Sequence, residues 1–335
     1  MKTNQNILQD NFGRQHSYLR ISLTELCNLR CTYCMPEEGV KLEPRSHIMN
    51  FDEIYTIAKT FVDHGVTKIR LTGGEPLIRK DVQIILKKLA TLPVELAIST
   101  NAVTVDRFIE VFKTCGIQNI NVSLDSLNAE KFKEITRRHD FDKVYQNIQL
   151  LIKEGFNVKL NAVLIKGFND NEIIDFIKFT KALPISVRFI EFMPFDGNKW
   201  DKAKMMSYAE VMTLVNSAFD KASILRIEDA PNDTSKNYKI EGYKGSFAII
   251  SSVTNPFCDS CNRIRLTANG RLKNCLFSAT ESDLLTPLRD GKDITPIISK
   301  AMQSKFKIRG GMDTLEKLES PELHSKNRSM ISIGG

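Results

Sequence analysis

No apolar run in this 335-residue sequence approaches the length needed to cross a bilayer, which argues against a membrane-embedded role. Histidine is scarce. The five present, His16, His47, His64, His139 and His324, are scattered without ligand spacing and receive no role. There is no Gly-x-x-x-x-Gly-Lys phosphate loop and no Gly-x-Gly-x-x-Gly turn, so the common nucleotide-fuel motifs are excluded. Residues 1–15 are polar and lack the apolar core of a signal peptide, so a cytoplasmic, thiol-reducing location is expected. The net charge of +7 is modest and spread along the chain, with solvated lysines such as Lys87 and Lys88 accounting for much of it. Few aromatics stand beside the basic strands, so a nucleic-acid stacking platform is not indicated.

What the chain does have is cysteine in two local sets. Cys27, Cys31 and Cys34 form a C-x-x-x-C-x-x-C loop that brings three thiolates together. Structural zinc prefers four ligands in paired C-x-x-C turns, and three such close cysteines cannot all pair as disulfides. A cubane iron–sulfur cluster takes a thiolate on each of four irons, so three local cysteines leave one iron open for chemistry. With Tyr33 between the second and third cysteines, the loop resembles the signature of the radical S-adenosylmethionine (SAM) superfamily. That resemblance implies a 4Fe-4S cluster whose open iron is chelated by the amino and carboxylate groups of SAM, and reductive cleavage to a 5′-deoxyadenosyl radical.

From Tyr18 to about Met193, short β-rich runs alternate with amphipathic stretches, the pattern of βα units around a parallel sheet. The strands read as 18–23, 68–72, 94–99, 119–124, 157–164 and 187–192. Helices fill the gaps, the first opening at Phe51 with Asp52 as its expected N-cap. Six units are too few for a complete barrel, so the expectation is an incomplete, three-quarter TIM-like α/β barrel, as the superfamily resemblance also implies. A smaller α+β C-terminal domain, residues 231–335, is expected to cover its mouth, leaving 1–230 as the barrel with an N-terminal extension.

The unusual motifs fall at strand ends, where parallel barrels place their chemistry. Gly73-Gly74-Glu75-Pro76 follows the second strand; by itself a turn, it resembles the superfamily loop in which backbone and Glu75 hold the amino group of SAM. Ser123 and Asp125 alternate at the fourth strand and face inward, either toward a ribose or as a polar pair in the core. Met193, ending the sixth strand, either packs on adenine or is core.

The second cysteine set, Cys258, Cys261 and Cys275, again supplies three ligands and no fourth nearby, which favours a second open cluster over a zinc knuckle. Arg263 and Arg265 alternate beside it and suit an anionic substrate. From Phe257 to Phe277 the chain resembles the MoaA family, the GTP 3′,8-cyclases of molybdenum cofactor biosynthesis, which also end in a Gly-Gly pair like Gly334-Gly335 that reaches the active site.

Carried over by position, the resemblance implies that Tyr33, Gly74, Ser123 and Met193 contact SAM, with Glu75 alongside, and that Arg20, Lys68, Arg70, Thr100, Lys159, Arg188, Arg263 and Arg265 hold GTP. It implies catalytic roles for Cys27, Cys31, Cys34, Arg263, Arg265, Gly334 and Gly335, and cluster ligation by both cysteine sets. GTP would be substrate, converted to 3′,8-cyclo-7,8-dihydro-GTP after hydrogen abstraction from C3′ and attack on C8. The implied partners are a second copy of the chain, a reduced flavodoxin or ferredoxin, and a downstream cyclic pyranopterin monophosphate synthase. One departure is Asn101-Ala102, where the family commonly has Asn-Gly. Two rival readings stand beside this one: a peptide-modifying radical SAM enzyme with an auxiliary cluster, and a zinc-bearing RNA-binding protein. Cys115 is read as a thiol without a role.

Overall fold

The computed structural model describes residues 6–35, 39–40, 42–324 and 326–334; Gly335 lies outside them. Six parallel strands form the centre of the sheet: β1 (Tyr18–Ser22), β2 (Lys68–Thr72), β3 (Glu95–Thr100), β4 (Asn119–Ser123), β5 (Asn157–Leu164) and β6 (Ser186–Glu191). Each adjoins the next in register, as sequential βα units require. The helices α1 (Phe51–Asp63), α2 (Val82–Leu89), α3 (Ile109–Thr114), α4 (Ala129–Thr136), α5 (Phe141–Lys153) and α6 (Ile173–Phe179) lie between them in the chain. Observed strand limits differ from those read in the sequence by at most one residue at either end.

The expectation for the first N-cap is corrected. Asn50, not Asp52, caps α1: its side chain accepts from the amides of Asp52 and Glu53, and Glu53 accepts from the Asn50 amide. The two-residue offset follows from this reciprocal box, which satisfies several free amides at once.

Alternation along the strands separates two environments. Leu19 and Ile21 of β1, Ile69 and Leu71 of β2 and Ile98 of β3 are fully buried in the main apolar core with Ile54, Ile57, Ala58 and Phe61 of α1. Burying each such side chain contributes roughly 1.5–3 kcal/mol. The opposite set on the same strands, Tyr18, Arg20, Lys68, Arg70, Asn121, Ser123, Lys159, Asn161 and Arg188, is polar or charged. The barrel therefore has an apolar jacket and a polar interior.

The C-terminal chain extends the sheet at both edges. After α7 (Tyr208–Ala218), the strands β7 (Ile224–Arg226), β8 (Lys236–Ile240) and β9 (Ser246–Ile250) join one edge, with β9 parallel to β6. β10 (Arg263–Leu266) pairs parallel with β1 at the other edge and is followed by β11 (Arg271–Lys273) and β12 (Ser282–Asp283). The result is one open sheet of twelve strands, continued at both ends by the C-terminal chain. Among the described residues, no helix is long and apolar enough to cross a membrane.

Candidate active site

Cys27, Cys31 and Cys34 line a cavity of about 190 Å³ together with Tyr33, Gly74, Thr100, Ser123 and Met193. Most of the residues read toward SAM thus converge on one hollow. Gly74 is required there by close approach: its amide donates to the Thr24 carbonyl at 2.8 Å, and any Cβ would collide with the backbone of Leu26. The Tyr33 hydroxyl donates to Asp125 at 2.9 Å, and Asp125 also accepts from the Val163 amide at 2.8 Å. Burial pushes the Asp125 carboxyl up to about 6 against those hydrogen bonds.

Glu75 is held from within the protein. Its carboxylate is 1% exposed and engaged inside the protein, accepting from Thr100 Oγ1 at 2.8 Å, the Asn101 amide at 2.7 Å and the Leu77 amide at 3.1 Å. In this arrangement it ties the loop after β2 to the turn after β3, and burial raises it to about 7. That same turn holds Ala102 at φ 61°, the region glycine favours, which is the physical content of the Asn-Gly to Asn-Ala departure.

Cys258, Cys261 and Cys275 line a second cavity of about 200 Å³ with Arg20, Arg188, Arg263 and Arg265. Asn161, Ile190, Met193 and Met330 border both hollows, so the two cysteine sets face a shared interior. The four arginines of this cavity, Arg20, Arg188, Arg263 and Arg265, ion-pair with no carboxylate among the described residues. Arg20 Nε, Arg188 Nε and one Arg263 terminal nitrogen are buried without a hydrogen-bond acceptor. Burial and neighbouring cations pull Arg265 down to about 9 and Lys159 to about 8. Buried, unpaired donors of one sign fit a polyanion.

Two of the residues expected to contact GTP also have partners within the protein. Lys68 stands at the start of β2 and is neutralised by Glu95 at 2.8 Å. Arg70 spends its guanidinium on the Tyr18 hydroxyl at 2.6 Å and the Ile98 carbonyl at 2.8 Å. Tyr18 is the residue that sequence reasoning missed: burial raises its phenol, but Arg70 and Arg20 overcome this and hold it at about 7. Inward-facing Asn121 and Asn161, whose carbonyl oxygens are buried without partners, were also missed; strand alternation alone could have found them.

The chain's tail enters the barrel. Arg265 donates to the carbonyl of Gly334, and a side chain at Gly334, which has φ +84°, would press on Thr72 and Ser22. Glu191 closes the site from the other side, accepting from the Val253 amide at 2.7 Å and the Thr254 amide at 3.0 Å, which pins the loop leading to Cys258.

The first donor set suits an iron–sulfur group. Burial raises the thiols of the first set, Cys27 to about 11 with Glu75 adding to it and Cys34 to about 12 with Cys27 adding to it. Three thiolates brought onto one loop need positive charge between them, which iron supplies. Among the described residues, no group of three or more His, Cys, Asp or Glu side chains is disposed to hold a single metal ion.

An open parallel barrel with a three-cysteine loop at the strand ends defines the radical SAM class. Residues 21–180 match the radical SAM superfamily model and residues 185–309 the model "Molybdenum Cofactor Synthesis C". The chain is 48% identical to "GTP 3′,8-cyclase, mitochondrial" of Arabidopsis thaliana, over 98% of this chain and 84% of that protein. It is 44% identical to "Molybdenum cofactor biosynthesis protein 1" of Dictyostelium discoideum over 98% of this chain, and spans about half (52%) of that relative's length. Streptococcus suis SuiB bound to S-adenosylmethionine shares the fold, with a TM-score of 0.60, 18% identity, and coverage of 95% of this chain and 77% of that one. The chain belongs to the radical SAM superfamily and, within it, to the GTP 3′,8-cyclase family of molybdenum cofactor biosynthesis.

Proposed function

We propose that this chain converts GTP to 3′,8-cyclo-7,8-dihydro-GTP, using SAM and two 4Fe-4S clusters. The observation that carries this reading is the shared interior: two three-cysteine sets line adjoining hollows with arginines that no carboxylate among the described residues neutralises. When bound, the first cluster and SAM would supply the radical that abstracts hydrogen from the nucleotide. The chain's own part is positional. Asp125 holds Tyr33 over the first hollow, and side-chain-free Gly73 and Gly74 let their loop pack against the backbone of Thr24 and Leu26 beside the cysteine loop. Arg20, Arg188, Arg263 and Arg265 draw the triphosphate into a buried site, where charge-assisted hydrogen bonds are strong because water is displaced. Cys258, Cys261 and Cys275 would hold the second cluster at the guanine end, and the Gly334 carbonyl fixes Arg265.

Under this reading the rival peptide-modifying assignment is disfavoured by an interior crowded with arginines, which a neutral peptide would leave unpaired. The protein would work in the cytoplasm as a homodimer, take electrons from a reduced flavodoxin or ferredoxin, and hand its product to a cyclic pyranopterin monophosphate synthase. The division near residue 230 into a barrel and a C-terminal unit belongs to the same proposal.

The test is anaerobic turnover with dithionite and SAM, with and without GTP, following 5′-deoxyadenosine and nucleotide products by mass spectrometry. A GTP-dependent rise in deoxyadenosine with a rearranged GTP product supports the proposal. Cleavage of SAM with unaltered GTP removes GTP as substrate.

A further inference from the structure

Lys305 follows the helix Thr295–Gln303 and is 4% exposed. Its ammonium donates to three acceptors: the Arg263 carbonyl at 3.1 Å, the Asn274 carbonyl, and Cys261 Sγ at 3.9 Å. Asn274 immediately precedes Cys275, so this one cation touches the chain beside two of the three C-terminal cysteines. No carboxylate within ion-pair distance neutralises it among the described residues. The other deeply buried lysine, Lys273, shows what is missing: it has Glu281 at 3.7 Å and the Asn327 side chain at 2.9 Å. A buried ammonium without an anion is costly, so the counter-charge for Lys305 must come from the sulfur group itself.

The surroundings reinforce this. Arg14, also buried, donates to the Cys258 carbonyl at 2.8 Å, and the Arg309 amide donates to Cys258 Sγ at 3.4 Å. At the first cysteine set the neighbouring buried charges have the opposite sign: Glu75 beside Cys27, and Asp125 beside Cys31 and Cys34. Arg14 is itself ion-paired with buried Asp10 at 2.6 Å, so of the two cations Arg14 and Lys305 it is Lys305 that has no carboxylate partner among the described residues.

We propose that Lys305 is a positioning charge that raises the reduction potential of the iron–sulfur cluster held by Cys258, Cys261 and Cys275 above that of the N-terminal cluster. The inference rests on reading that second set as a cluster site. Reduction adds one negative charge to the cluster, and a cation fixed at a ligand sulfur in a water-poor interior stabilises the reduced form preferentially. Hydrogen bonds to cluster sulfur act in the same direction.

The experiment uses full-length, anaerobically reconstituted protein. Iron and sulfide contents of the parent and of Cys258→Ala are compared first. Equal contents would overturn both the cluster reading and this proposal, whereas loss of one cluster's iron sustains the reading and lets the proposal be judged by itself. Redox titrations followed by electron paramagnetic resonance are then run on the parent, Lys305→Met, Lys305→Gln and Lys305→Arg, with SAM added to mark the N-terminal signal. The expected result is a C-terminal midpoint potential shifted to lower values in the uncharged variants, near the parent value in Lys305→Arg, with the N-terminal midpoint unmoved. An unshifted C-terminal midpoint in an uncharged variant that retains its iron overturns the proposal. Loss of the second cluster in both uncharged variants overturns the proposal, because Lys305 would then be needed to hold the cluster and not to set its potential.

Discussion

Arg265 donates a hydrogen bond to the main-chain carbonyl of Gly334, so a strand at one edge of the sheet is coupled to a tail residue 69 positions later in the chain. Gly334 is held at φ +84°, against Thr72, Ser22 and Gly73. Gly334→Ala should therefore displace the tail and release Arg265. Product formation is expected to fall by at least tenfold while iron content and melting temperature stay near those of the parent. Unchanged turnover would remove the tail from the active site.

The unpaired interior cations should trade stability for binding. Replacing Arg188 with methionine removes a buried charge whose Nε has no acceptor, so the ligand-free protein is expected to be more stable, by about 1 kcal/mol or more. GTP affinity should weaken by about 10- to 100-fold, the loss of one charge-assisted hydrogen bond. Paired denaturation and equilibrium binding measurements check both signs. A variant that is destabilised and binds GTP normally would contradict this account.

Tyr18 should titrate near neutrality in the GTP-free protein. Burial opposes ionisation, but Arg70, Arg20 and Lys68 outweigh it and bring the phenol to about 7. A triphosphate placed among those cations weakens their hold, so GTP should move the titration upward. The ultraviolet difference spectrum of parent minus Tyr18→Phe, followed against pH with and without GTP, reads this directly.

His16 is fully buried with Nε2 3.1 Å from Asp10, and burial and the charge of Lys305 lower it from 6.5 to about 4. Between those values the unfolded chain binds the proton and the folded one does not, so this contribution to stability is complete above pH 6.5. It is lost as pH falls from 6.5 toward 4. Urea denaturation of the apoprotein across that range should show a stability loss that His16→Phe lacks.

Ala102 carries a left-handed backbone at φ 61°. Ala102→Gly is expected to stabilise the protein by about 0.5–1 kcal/mol, because removing the Cβ relieves that conformation by more than the added chain entropy costs. A lower denaturation midpoint would show that the turn is not strained.

Several features could be read from the chain because their physics is local. The spacing of Cys27, Cys31 and Cys34 confines three thiolates to one loop whatever surrounds it. The two-residue period of β1, β2 and β6 places Arg20, Arg70 and Arg188 on the inner face before any neighbour is known. Loop glycines such as Gly74 declare a close approach, although not to what.

Other features depended on contacts between distant segments. The engagement of Glu75 by Thr100 and Asn101, the neutralisation of Lys68 by Glu95, and the anchoring of the Cys258 loop by Glu191 each join different strand ends. Nothing in the neighbourhood of Lys305 or His16 along the chain marks them as buried beside a cysteine or an aspartate. Spacing and period are enough for the two cysteine sets, the parallel α/β alternation and the inward cations. Long-range contacts set β9 and β10 at the two edges of the barrel and brought both cysteine sets to one interior. Those outcomes arise from pairing between residues far apart in the chain, where register and burial, not local preference, choose the partner.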